Sequence, residues 1–297
     1  MRSDQKFQRG FTLVEMVVVM VITGILGGMI AMLLRGPVQE YVDSARRAGM
    51  SDAADTALHR ITRDVRLALP NSVRVTGACN GTGACYLEYL EMVAGGRYNN
   101  GASGVGYLTT VGDLVSGAAG FPSLALVNGR GTLGASAVVV VNNLGNSCAA
   151  SSVYCGASAA TVSGVSNGVT NPSEDVINFS PTIFSPSPNN RFQIVSQPVT
   201  YVCSPAAGGT GGTLTRYWGY AIQPGQPSDT ASPPLASASR ALLASNVSAC
   251  SFSLSQDNGQ VTMPLTITEQ GESISLYGAA HVGSESDLYG SANGNVP

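Results

Sequence analysis

One carboxylate stands alone in the most apolar stretch of this 297-residue chain. From Phe11 to Leu34 the sequence FTLVEMVVVMVITGILGGMIAMLL is apolar or small except for Glu15, and Arg35 closes it. An acid inside a membrane-length helix is costly and normally has a partner; an isolated anchor helix offers none. The other residues with chemical potential are six cysteines, which fall as Cys79/Cys85, Cys148/Cys155 and Cys203/Cys250. An even count in an exported chain points to disulfides. Six cysteines allow about fifteen pairings, of which two tight local loops and one longer bridge is the arrangement expected here. Zinc is the competing chemistry, but C-x2-C spacing is missing and only His59 and His281 could supplement the thiols.

Little else could carry a reaction. The chain has no phosphate loop and no His/Glu metal motif, and its two histidines have no recognisable neighbours, so no enzyme activity, metal or cofactor is expected. Glu269, Glu272, Glu285 and Asp287 could approach a calcium ion, but without a known loop spacing they read as solvated surface acids. Seven of the twelve arginines beyond the first ten residues lie at or before Arg74. Six acids share that region and Tyr41 is the one aromatic among its arginines, so it lacks the signature of a nucleic-acid surface.

The elements that position these residues follow from composition and period. Charged residues make up 11% of the chain, against roughly 25% in soluble domains. The dilution comes from the apolar block and from a middle region, about 93–171, rich in Gly, Ala and Ser. As a helix the 24 residues from Phe11 would reach about 36 Å, enough to cross a hydrocarbon core of about 30 Å. The first ten residues hold three cations, Arg2, Lys6 and Arg9, and one acid, Asp4; without them the net charge moves from −3 to −5. A basic leader before the span places the N-terminus in the cytoplasm and everything after Arg35 outside. The block is longer than a secretory signal core and has no small-residue cleavage site behind it, so the span should stay in the product.

Gly36-Pro37 is expected to interrupt and kink the helix. Beyond it, residues 36–69 continue as an amphipathic helix with apolar positions at Ala54, Ala57, Leu58, Ile61, Val65 and Ala68, a stripe that needs a sheet to cover it. From residue 70 to 297 the period becomes two. Strands are expected at Cys85–Met92, Ala137–Asn142, Val176–Phe179 and Phe192–Ser196. Val199–Cys203 with Leu214–Tyr220, and Ser251–Ser255 with Val261–Thr268, read as hairpins, the second through an Asn258-Gly259 type I′ turn, and Ser273–Tyr277 should close the sheet. Tyr201, Tyr217, Trp218 and Tyr220 fit core packing better than a carbohydrate platform, with Tyr217 and Trp218 on opposite faces.

The run Arg9-Gly10-Phe11-Thr12-Leu13-Val14-Glu15, with its basic leader and long apolar helix, resembles the type IV prepilin signature. The resemblance implies that a membrane aspartyl peptidase cuts between Gly10 and Phe11, removing leader 1–10, and N-methylates Phe11. It also implies that Glu15 pairs with the terminal amine of an adjacent subunit, which would remove two lone charges from an apolar setting together. The chain size and the phrases Leu69-Pro70-Asn71-Ser72-Val73-Arg74-Val75 and Arg216-Tyr217-Trp218-Gly219-Tyr220 are similar to a minor pilin of the mannose-sensitive haemagglutinin pilus. The implied fold is α+β and type IV pilin-like: a long helix, filament-core span 11–35 then amphipathic half, packed on an antiparallel β-sheet with long disulfide-stapled loops. The implied partners are other major and minor pilins, the prepilin peptidase and the inner-membrane assembly platform, with the membrane holding the subunit before assembly and the pilus surface after it. A pseudopilin of a type II secretion system would share this N-terminal chemistry, and a tip adhesin would add a glycan or surface ligand.

Overall fold

The structure is a computed structural model that describes residues 11–98, 108–111, 114–117, 121–123, 136–148, 152–167, 175–180, 182–187 and 190–282. One long helix, α1 (Leu13–Arg66), leads into strands. The chain divides into two compact units, residues 1–49 and 50–297.

In the second unit, the last turns of α1 bury one face. Ala54, Ala57, Ile61, Val65 and Ala68 are almost fully enclosed, with Met50 and Leu58 close behind. Their spacing of three and four residues places them on one stripe. They share a single core with Leu87, Tyr89, Val199, Tyr201, Val261, Met263 and Leu265. Each fully buried aliphatic side chain there contributes about 1.5–3 kcal/mol, so this interface anchors the helix end.

The strands are β1 (Arg74–Gly77), β2 (Cys85–Arg97), β3 (Leu108–Val111), β4 (Leu114–Gly117), β5 (Phe121–Ser123), β6 (Val138–Val140), β7 (Ala159–Asn167) and β8 (Asp175–Phe179). They continue as β9 (Ile183–Phe184), β10 (Arg191–Ser204), β11 (Thr213–Trp218), β12 (Ser239–Ser245), β13 (Val247–Cys250), β14 (Ser253–Ser255), β15 (Gln260–Glu269) and β16 (Glu272–His281). A nine-stranded sheet runs β1-β2-β10-β6-β7-β8-β5, with β11 on β10 and β12 on β11. A four-stranded sheet runs β13-β15-β14 with β16 on β15, and β3, β4 and β9 form a small third sheet. All the pairings are antiparallel.

Strand β10 organises the large sheet. It lies along β2 for its whole length, while its other side pairs first with β6, at Gln193–Val195, and then with β11, at Val199–Ser204. The change of neighbour coincides with an irregularity between Val195 and Pro198. Proline has no N–H to give a ladder, and a bulge is where a strand tolerates it.

Several sequence expectations need correction. Helix α1 continues through Gly36 and Pro37 instead of being interrupted there; proline removes one hydrogen bond, and the turns on either side hold. It ends at Arg66 rather than Leu69, because the Leu69 N–H is taken by Leu90 O at 2.9 Å and Ala68 bridges to Glu91. Phe192–Ser196 and Val199–Cys203 are one strand. The final hairpin, β15–β16, builds a separate sheet instead of closing the first. The β14–β15 connection leaves four residues, Gln256 to Gly259, beyond the Ser255–Gln260 pair, and of these only Gly259 has positive φ, at 59°. A type I′ turn needs two such residues. Strands β1, β3, β4, β5, β7, β9, β12 and β13 were not foreseen. The described parts of the Gly/Ser-rich region include short strands, of which β6 and β7 extend the large sheet, together with the loop 141–148 and a 3-10 turn at Val153–Cys155.

Cys79–Cys85, Cys148–Cys155 and Cys203–Cys250 are bonded, with Cα separations of 4.8, 5.0 and 6.1 Å. The first closes the β1–β2 connection, the second closes the loop after β6, and the third joins β10 of the large sheet to β13 of the smaller one.

Candidate functional site

The first unit presents the lone carboxylate. Thr12 precedes the first helical residue, and its hydroxyl accepts the Glu15 N–H at 3.3 Å. This is an N-cap contact, and the Thr12-x-x-Glu15 spacing is that of a capping box. Sequence reading passed over Thr12, although the four-residue pattern was in plain view. Glu15 therefore sits in the first turn, where the helix dipole favours a negative charge. Among the described residues its carboxylate has no ion-pair or hydrogen-bond partner. Around it, Phe11, Leu13 and Val14 are 78%, 81% and 70% exposed, so the acid shares its surface with side chains that avoid water. Further along, the Thr23 hydroxyl is satisfied by donating to Val19 O at 2.7 Å.

The most apolar 18-residue window of α1 has a mean hydropathy of 2.6 and is wholly unburied, which makes the helix long and apolar enough to cross a membrane. Gly10 lies outside the described residues, so only the Phe11 side of the expected cleavage bond is seen.

Residues 5–31 match the family described as the prokaryotic N-terminal methylation motif. The N-terminal segment of the chain is type IV prepilin-like. The matched residues span Gly10, Phe11 and Glu15, and the long N-terminal helix followed by antiparallel sheets with disulfides in loops is a type IV pilin-like α+β layout. No curated protein and no solved structure matches the chain. The motif and the apolar helix fit a membrane-anchored pilin or pseudopilin, a structural class of protein rather than an enzyme.

In the second unit of this prepilin-like chain the charges are handled in the opposite way. Across β1, β2, β10 and β11 the register aligns Arg74 with Glu88, Glu88 with Thr200, and Thr200 with Tyr217. Arg74 donates to Glu88 Oε1 at 2.7 Å through Nη2 and 3.2 Å through Nε, and to the Gln223 and Pro224 carbonyls at 2.9 and 3.0 Å. Its guanidinium lies 3.6 Å from the centre of the Tyr154 ring. The Thr200 hydroxyl reaches Glu88 Oε2 at 3.5 Å and also bonds Tyr220. Glu88 is fully enclosed; burial pushes its carboxyl up to about 6, against the pull of Arg74 and of the Tyr220 and Thr200 hydroxyls.

On the opposite face, toward α1, Tyr201 donates to Asp64 Oδ2 at 2.7 Å, Arg60 donates to the same oxygen at 3.2 Å, and Arg216 lies 3.3 Å from it. Burial alone would raise the Asp64 carboxyl, but these three partners outweigh it and hold it below the usual carboxylate range. Composition gave no warning of either network. The signal was in the two phrases already noted, since Arg74 belongs to the first and Arg216 and Tyr220 to the second.

The aromatic hairpin is core. Tyr201, Tyr217 and Tyr220 are buried, and Tyr217 and Trp218 face different cores. Of the four acids considered for calcium, Glu285 and Asp287 lie outside the described residues. Among the described residues no group of three or more His, Cys, Asp or Glu side chains could hold a metal. Gly164-Val165-Ser166-Asn167-Gly168 has nucleophile-elbow spacing, but Ser166 sits inside β7, paired with Val176, not on the strand-to-helix turn that exposes such a serine.

Proposed function

We propose that the chain is a minor type IV pilin, most like MshO of the mannose-sensitive haemagglutinin pilus. In this reading a prepilin peptidase cuts between Gly10 and Phe11 and N-methylates Phe11, and the subunit then takes part in priming or tip formation of a filament. Its partners are other pilins, the peptidase and the inner-membrane assembly platform, and the sheet-bearing unit lies outside the membrane.

The observation that carries the reading is Glu15, without a partner among the described residues, at the capped start of an exposed apolar helical segment inside the matched motif. An exposed apolar surface of this length is stable only in lipid or against other helices. A carboxylate in that surface is tolerated where a cation meets it, and cleavage before Phe11 creates such a cation at the start of every neighbouring helix.

Mass spectrometry of the N-terminal peptide from protein taken out of its native membrane tests the processing step. A peptide beginning at N-methylated Phe11 is expected; one retaining Met1 to Gly10 in localised, active protein would remove the assembly role. Identification of the proteins that co-purify separates a pilus from a secretion pseudopilus.

A further inference from the structure

Two asparagine–glycine pairs lie wholly within the described residues, Asn80-Gly81 in the β1–β2 connection and Asn258-Gly259 in the β14–β15 turn. The dipeptide has a chemistry of its own. The backbone nitrogen of the glycine attacks Cγ of the asparagine side chain and closes a succinimide ring. The new N–Cγ bond replaces the Cγ–Nδ2 bond, and Nδ2 leaves as ammonia with the proton that the backbone nitrogen gives up. Water then opens the ring at either carbonyl, leaving aspartate or its β-linked isomer, isoaspartate. Glycine favours the first step because no Cβ crowds its nitrogen, and asparagine is among the residues that heat-adapted proteins avoid.

Both asparagines are exposed, so access to water does not separate them. Their surroundings do. The Asn80 side-chain oxygen accepts the Thr82 and Gly83 N–H groups at 3.1 and 3.0 Å and the Thr82 hydroxyl at 3.2 Å. The Cys250 N–H donates to Gly81 O at 3.2 Å, and Cys79–Cys85 closes the loop around both residues. A Cβ on Gly83 would collide with that of Ala78, so the loop has no slack. Ring closure at Asn80 requires the side chain to swing off three donors inside a loop fastened at both ends.

Asn258 meets no such restraint. Among the described residues its side-chain amide makes no hydrogen bond, and neither does the Gly259 N–H, the nucleophile. A Cβ on Gly259 would meet only Val282 O, at 3.6 Å, which leaves room for the ring. The turn is tied down through its carbonyls instead: the Val282 N–H donates to Gly259 O at 2.8 Å, and His281 Nδ1 lies 3.3 Å from Asn258 O. Those ties leave the reacting side chain and nitrogen free.

We propose that Asn258 is a site of spontaneous deamidation, converted through a succinimide with Gly259, and that Asn80 is protected by its loop. The product sets a second carboxylate beside Asp257, and its isoaspartyl form adds a backbone carbon to the turn that joins Ser255 to Gln260. An aged population of the chain therefore contains a more acidic form with a remade β14–β15 turn. The inference goes beyond the filament reading and is independent of it, because it concerns residues of the sheet-bearing unit alone.

The test is incubation of the purified full-length chain in detergent, folded and with its disulfides intact, at mildly alkaline pH. Peptide mapping by mass spectrometry then follows aspartate and isoaspartate at each position. Conversion is expected at Asn258, and about tenfold more slowly or slower still at Asn80, whose side chain must first release its hydrogen bonds. In the reduced, denatured chain the two sites should convert at similar rates. Gly259→Ala, which crowds the nucleophile, should slow conversion at Asn258 and leave Asn80 as it was. Three results would overturn the proposal: Asn258 intact in the folded chain after both sites have converted in the denatured one, Asn80 converting as fast as Asn258 while folded, or aspartate forming at Asn258 with no isoaspartate. Processing before Phe11 does not enter these rates, so failure here leaves the assembly reading standing, and failure of that reading leaves this one.

Discussion

Glu15 and Glu88 are both carboxylates surrounded by apolar structure, and the chain treats them in opposite ways. Glu88 is enclosed and meets Arg74, Thr200 and the edge of a tyrosine cluster within its own chain. The Glu15 carboxylate is open and has no ion-pair or hydrogen-bond partner among the described residues. A charge satisfied internally specifies a fold. In the proposed reading, a charge left open on an apolar helix specifies a neighbour. The two units therefore carry two kinds of information, and the variants that separate them should affect different measurements.

The largest expected effect is on assembly. Gly10→Val should block maturation, leaving full-length precursor on a gel of membrane protein. Glu15→Ala should be cleaved normally yet fail to enter filaments, with the melting temperature of the sheet-bearing unit unchanged. Normal incorporation of that variant would end the contrast between the two acids. Next comes Arg74→Met, which strands the Glu88 charge in the core. It should cost about 3–5 kcal/mol in denaturant unfolding, while the joint replacement of Arg74 by Met and Glu88 by Leu should recover most of that.

A smaller effect depends on pH. Burial raises Glu88 to about 6 from an ordinary 4.5, so folding takes up a proton between those values. Stability should fall by on the order of 2 kcal/mol as pH rises through that window, and Glu88→Gln should flatten the slope. Asp64 carries the opposite sign. Its carboxyl is held below 3.8, so its contribution is present above that value and is lost as pH falls through the lowered range, a loss that Asp64→Asn should remove. The smallest effect is at the helix start: Thr12→Ala should cost about 1 kcal/mol of local stability, seen as faster hydrogen exchange at Glu15 in detergent.

How much of this was legible in the sequence differs between the units. The apolar block, its lone acid and the stripe from Ala54 to Ala68 were readable because helix periodicity and hydrophobicity are local properties. The hairpins at Val199–Trp218 and Ser253–Thr262 were readable because loop residues mark them. Which strands join which sheet was not, since β6 meets β10 across more than fifty residues and nothing local encodes that distance. Nothing local marks Arg74 and Glu88 as partners, because only the register of β1 on β2 reveals that they share a buried row. Pro37 misled for a related reason: the penalty of one proline is local, whereas the helix around it is held over many turns.

The bond between Cys203 and Cys250 gives the second unit a property that static stability does not describe. It fastens the strand at the middle of one sheet to the edge of the other. If the subunit is pulled within a filament, as the proposed function implies, tension reaching either sheet passes to its neighbour through a covalent link as well as through the core they share. In an oxidising environment the sheets then yield separately only after a chemical bond has broken, whereas after reduction the shared core alone holds them together.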